Sequence, residues 1–152
     1  MSKIIILVIV VFLLLINCSY PELPLIYGSE EIPDLGIESP YDALAWTSKN
    51  IEYEADDGDE WQSPQHTYEI GHGDCEDFCL LAMYLIHRSS GIKTTMMLGQ
   101  DSREYAAHHW IELDGEWWEP QSNRRCESYR DRYPTINDNR DMRAWTFLVH
   151  CM

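Results

Sequence analysis

Apolar positions along this chain change their spacing several times, and each change predicts a different kind of segment. Ile4 to Ile16 is an unbroken run of thirteen apolar residues behind a single Lys3. A membrane helix needs about 20 residues, so the run fits the apolar stretch of a secretory signal better than a span. From Cys18 to about Ser39 the pattern dissolves among Pro21, Pro24, Gly28, Pro33 and Gly36, as in a tether. Ser39-Pro40-Tyr41-Asp42 then supplies an N-cap, a proline at N1 and an acid at N3, predicting a helix from Pro40 to about Asn50 that buries Tyr41, Leu44 and Ala45, with Trp46 at their edge. After the Gly71-His72-Gly73 turn, Asp74 is placed to cap a central helix from Cys75 to about Ser89, ending before Gly91. Its apolar stripe is Phe78, Leu81, Ala82 and Leu85, at steps of three and four. Strand-like runs follow at Thr94–Leu98, His108–Leu113 and Glu116–Glu119, with Asp114-Gly115 a hairpin turn between the last two. A last β-prone run covers Ala144–His150.

With 152 residues, 45% of them apolar, the chain suffices for one modest core and one domain. Its formal charge of −15 repels phosphate backbones, so nucleic acid is not an expected partner. Six acids lie between Glu52 and Glu60 around Gly58, without the spacing of a calcium-binding loop, and this reads as an exposed loop. Leu15-Ile16-Asn17-Cys18 resembles a bacterial lipobox, although Asn17 stands where Gly, Ala or Ser is usual. The organisation expected is a lipoprotein-type signal peptide at 1–17, a tether at 18–38 and a folded domain at 39–152. Cys18 would carry the lipid anchor, and the chain would reside at the bacterial cell envelope. The other cysteines, Cys75, Cys79, Cys126 and Cys151, allow three disulfide connectivities. A Cys126–Cys151 pairing is compatible with a free Cys75.

A thiolate nucleophile needs a favourable field, a base and donors for the oxyanion it generates. Cys75 at a helix start has the unpaired N–H groups and the dipole in its favour. Asp74, Glu76 and Asp77 oppose it, so an imidazole partner is required. Strand alternation puts His108, Trp110 and Glu112 on one face and His109 and Ile111 on the other. The turn at Asp114-Gly115 brings Glu119 back toward His108, where a carboxylate could orient the ring. His108 is the expected base and His109 the alternative, with strand register deciding between them.

Several segments together resemble the transglutaminase-like cysteine proteinases, particularly their small bacterial members. They are Ile51-Glu52-Tyr53 with Asp56, Trp61-Gln62-Ser63-Pro64, Gly73-Asp74-Cys75-Glu76-Asp77-Phe78, His108-His109-Trp110-Ile111-Glu112 and Trp117 to Pro120. The fourth is similar to the family's His-Ala-Trp-Val-Glu strand, and about seventy residues are covered. The resemblance implies an α+β fold, a papain/transglutaminase-like core whose central helix bears the cysteine and packs on an antiparallel sheet. It implies Cys75 as nucleophile, His108 as base and Glu119 as third member, although the family usually has Asp before Pro where this chain has Glu119-Pro120. Gln65, ten residues before Cys75, is a candidate oxyanion donor of the kind papain-like enzymes use.

The activity expected is cleavage of an amide or peptide bond through a thioester acyl-enzyme, on a protein or peptide substrate, by a monomer with no cofactor and no metal. Transamidation or deamidation would use the same intermediate, and a catalytically silent binding lipoprotein would keep the fold alone. A zinc set of His72, Cys75, Cys79 and His108 is conceivable but lacks the short paired spacings of structural zinc. Cys79 and most tryptophans read as packing, with Trp61 the best aromatic for a substrate cleft.

Overall fold

Among the described residues, two Ser-Pro starts open the first two helices. Ser39 is extended, and its Oγ accepts the Asp42 N–H at 3.2 Å, so α1 (Pro40–Asn50) begins and ends where the sequence places it. Its buried face is turned from the expected one: Ala43, Leu44 and Thr47 are buried, while Tyr41 is 46% exposed. Thr47 is accommodated because its hydroxyl donates to the Ala43 carbonyl at 2.9 Å. The computed structural model describes residues 32–56, 60–100, 107–126 and 130–136.

Ser63 repeats the device, its Oγ accepting the His66 N–H at 3.1 Å ahead of Pro64. The helix it opens, α2 (Pro64–Ile70), stops at Gly71, whose φ of 76° is left-handed. At seven residues α2 is too short to show an apolar period, so the cap is its one sequence signal. Short parallel strands β1 (Glu52–Tyr53) and β2 (His72–Gly73) flank it, with Glu52 opposite His72 and Tyr53 opposite Gly73.

The central helix α3 (Cys75–Ser90) closes at Gly91, φ 73°. It packs against α1, α2 and β4, which buries Leu80, Met83 and Ile86 in addition to the stripe of Phe78, Leu81, Ala82 and Leu85. A helix covered on so many sides is apolar around most of its circumference. An antiparallel sheet follows in the order β6-β5-β4-β3-β7, made of β3 (Thr95–Gln100), β4 (Ala107–Leu113), β5 (Glu116–Glu119), β6 (Arg124–Arg125) and β7 (Arg130–Ile136). Asp114 and Gly115 both adopt positive φ, 55° and 75°, as a two-residue hairpin turn requires. Strand β7 has no counterpart among the expected strands: its sequence, Arg130-Asp131-Arg132 with Pro134, carries no apolar alternation. Its place at the edge of the sheet is where proline is tolerated in a strand. The expected strand at Ala144–His150 lies outside the described residues.

Alternation along the sheet separates two clusters. Met96, Ile111 and Leu113 join the core with α3, whereas Met97 and Trp110 pack with Trp117 and Cys126. The packed unit also begins before Ser39. Ile32 is 1% exposed within the core, and Leu35 and Ile37 lie against it. The Arg88 guanidinium donates to the carbonyls of Ile32 and Pro33. The expected tether therefore gives up its last residues to the domain, through three apolar anchors too irregularly placed to show a period. Among the described residues no helix is long and apolar enough to cross a membrane. The signal segment and Cys18 lie outside them.

Candidate active site

Cys75 is the first residue of α3, where helical N–H groups lack partners in the preceding turn. Its start is fixed by Asp77, whose Oδ2 accepts the Asp74 N–H at 3.2 Å and whose Oδ1 accepts the Gln62 N–H at 2.7 Å. One carboxylate thus ties the loop carrying Trp61 to the helix carrying the thiol. Gly73 makes this possible: a Cβ there would lie 2.7 Å from both Cβ and Oδ2 of Asp77.

Three atoms converge at the thiol. Sγ of Cys75 donates to Oε2 of Glu76 at 3.1 Å, Nδ1 of His109 lies 3.7 Å from Sγ, and the same Oε2 is 3.6 Å from Nδ1. The His109 and Glu76 side chains are almost wholly buried, and the Trp61 ring meets the imidazole edge-on with centroids 5.3 Å apart. Nε2 of His109 is buried with no hydrogen-bond partner among the described residues.

The electrostatics follow from burial and crowded acids. Desolvation first, then the charge of Glu76 and its hydrogen bond, push the Cys75 thiol well above its ordinary range. Burial opposes ionisation of Glu76, but hydrogen bonds from His109, Asp74 and Cys75 outweigh it and hold the carboxyl down to about 2. Asp74 is pushed up to about 9, by burial and then by its hydrogen bond and charge contact with Glu76. Burial likewise raises Asp77 to about 7, against its hydrogen bonds from Gln62 and Asp74. In this state the cysteine is a thiol whose proton is directed at Glu76.

The imidazole that the structure brings to Cys75 is His109, not the expected His108. On β4, His109 shares a face with Ile111 and Leu113, which pack in the α3 core. His108 is turned the other way, stacked on Trp110 with centroids 6.4 Å apart. Its Nε2 lies 2.5 Å from Oε2 of Glu119. The expected His108–Glu119 partnership therefore forms, but on the imidazole of the opposite face. Register decides this outcome, because a one-residue difference in a strand exchanges its faces. The pairing of Met96 with Ile111 and Leu98 with His109 sets it.

Other expected residues find different places. Gln65 lies on α2, and its Nε2 donates to Glu69 Oε1 at 2.6 Å within that helix. Cys79 is fully buried in the core, as its packing reading requires. His72 pairs with Glu54 across β1 and β2 at 3.1 Å. Among the described residues, the group within metal-binding reach is Cys75, Glu76 and His109, not the zinc set first considered. Cys151, and with it the pairing to Cys126, lies outside the described residues. Glu76, which the sequence presented only as a charge opposing the thiolate, is the residue that links sulfur to imidazole.

The profile of the transglutaminase-like superfamily matches residues 30–146. The chain belongs to this superfamily. No curated protein matches it. Among solved structures it is similar in fold to LapG of Legionella pneumophila in three forms. The EGTA-treated form is 17% identical, with a TM-score of 0.52 over 63% of this chain and 59% of that one. A second LapG structure and the calcium-bound form are each 18% identical, with a TM-score of 0.52 over 63% of this chain and 61% of theirs. This transglutaminase-like chain thus spans about 60% of the length of the structures it resembles.

Proposed function

We propose that this superfamily member is a cysteine hydrolase of amide bonds, with Cys75 as nucleophile and His109 as its proton acceptor and donor. The observation that carries the reading is the 3.7 Å approach of Nδ1 to a sulfur at the first position of a helix. Turning the thiol proton from Glu76 to Nδ1 of His109 leaves a thiolate, which attacks the substrate carbonyl. The backbone N–H of Cys75 is a donor for the oxyanion that forms. His109 then delivers the proton to the leaving amine, and a thioester remains. Water attacks the thioester as Nδ1 takes its proton, and Cys75 is regenerated as the acid product leaves. Trp61, edge-on to His109, limits the tilt of the ring and forms one wall beside it. A peptide or protein substrate suits this chemistry, and transamidation would differ only in the acceptor.

One LapG structure is calcium-bound. Oδ1 of Asp74 is buried without a partner among the described residues, next to Glu76, and both residues offer the carboxylate oxygens that calcium takes. They fit such an ion, and its charge would relieve the crowding of acids that holds Cys75 as a thiol. The apolar run at Ile4–Ile16 followed by Cys18 supports export and lipid anchoring at the cell envelope, which loss of lipid labelling in Cys18→Ala would check.

The test of the catalytic reading is hydrolysis of a peptide amide by wild type, Cys75→Ala, His109→Ala and His108→Ala. Cys75→Ala should be inactive, and His109→Ala should lose on the order of 10²-fold or more. His108→Ala should retain the larger part of the activity. If His108→Ala is the inactive one and His109→Ala is not, His109 is not the base. If Cys75→Ala retains wild-type turnover, the cysteine mechanism fails, and the silent binding role, which the raised thiol favours, takes its place.

A further inference from the structure

The triangle of Sγ, Oε2 and Nδ1 has edges of 3.1, 3.6 and 3.7 Å. A zinc ion in tetrahedral coordination, with bonds of about 2.3 Å to sulfur and 2.0–2.2 Å to nitrogen and oxygen, sets ligand–ligand edges of roughly 3.3–3.6 Å. The two edges at Nδ1 lie close to these values, and the 3.1 Å sulfur–oxygen edge would open by about 0.5 Å on ligation. The three atoms come from three residue types that zinc accepts, and all lie within 4.8 Å of one another. Cys75 is partly exposed, leaving an approach and a fourth position for water. Glu76 is itself hydrogen-bonded by Asp74, as metal-binding carboxylates commonly are. Nε2 of His109, by contrast, has no hydrogen-bond partner among the described residues, so the second shell that tightens structural zinc sites is incomplete. These features describe a reversible site, not a structural one.

We propose that Cys75, Glu76 and His109 form a zinc site that closes the nucleophile. Binding forms a Zn–S bond and releases the thiol proton to solvent, while Nδ1 and Oε2 contribute lone pairs without changing oxidation state. Sulfur and imidazole are then held by the ion, and neither can take part in acyl transfer. The inhibitory consequence rests on the hydrolase reading; the binding itself does not.

The experiment uses the full chain, stripped of metal with EGTA and exchanged into chelator-free buffer, then titrated with cobalt as a spectroscopic substitute for zinc. One equivalent should produce a sulfur-to-cobalt charge-transfer band in the near ultraviolet, bleached by one equivalent of zinc. The band should be absent in Cys75→Ala and Cys75→Ser, and the cobalt affinity should fall at least tenfold in His109→Ala and Glu76→Gln. Bound zinc should also slow iodoacetamide labelling of Cys75 at least tenfold, reversed by chelator. Loss of the band in Cys75→Ser with an unchanged circular dichroism spectrum separates ligation from misfolding. A band that survives in both Cys75 variants, no band at all, or labelling unaffected by zinc would overturn the site. The cobalt spectrum needs no turnover, so it stands or falls separately from the peptide-hydrolysis test.

Discussion

Replacing Glu76 by Gln removes the charge that competes with Cys75 for His109, and the size of the effect can be worked from the three distances. The Oε2 charge lies 3.1 Å from Sγ, where it opposes a thiolate, and 3.6 Å from Nδ1, where it attracts an imidazolium. At an effective dielectric of about 20 these contributions nearly cancel, leaving about 0.7 kcal/mol against the ion pair. The hydrogen bond from the thiol to a carboxylate stabilises the neutral form by about 1.5 kcal/mol more. Glu76→Gln should therefore raise the thiolate–imidazolium population by about threefold if the Gln oxygen keeps the hydrogen bond, and by about fortyfold if it does not. The assay is the rate of Cys75 alkylation by iodoacetamide at pH 7 in EGTA, corrected with Cys75→Ala for the other four cysteines. An alkylation rate at or below that of wild type would refute the reasoning, because Glu76 would then support the imidazolium more than it opposes the thiolate.

Gly73→Ala places a methyl 2.7 Å from Asp77 Cβ, and displacing that side chain should cost about 1–3 kcal/mol in chemical denaturation and lower peptide hydrolysis through the Gln62 tether. Asp74 and Asp77 are raised to about 9 and about 7 from 3.8, so the native state holds protons that the unfolded chain has lost. Their stabilisation is complete below pH 3.8 and should be lost between about pH 4 and 7 for Asp77 and on to about pH 9 for Asp74, a falling Tm in EGTA that Asp77→Asn flattens over the lower window. Glu76, lowered to about 2, acts in the opposite sense only below pH 4.5. Ile32→Ala, at a residue 1% exposed, should cost about 2–5 kcal/mol in urea unfolding, where an exposed tether residue would cost almost nothing.

The elements best legible in the sequence were those whose ends carry chemistry. Ser39-Pro40 and Asp74 with Gly91 marked α1 and α3, and Asp114-Gly115 fixed the hairpin that joins β4 to β5. What was missed lacked either a period or a partner visible in one dimension. Strand β7 carries no apolar alternation of its own and is set by its pairing with β3. The buried face of α1 is set by its contact with α3, not by its own spacing. The position of Cys75 was legible because a helix start announces itself. The choice between adjacent histidines was not, since both faces of β4 are covered by apolar residues and the alternation of one strand cannot tell them apart.

The buried segment at Ile32 sets where the described chain enters the domain. Its carbonyl is held by Arg88, thirteen positions along α3 from Cys75, and at 1.5 Å per residue that is about 20 Å. Ile32 is therefore held beside the end of the helix farthest from the sulfur, so the described chain enters the domain on the side away from the thiol.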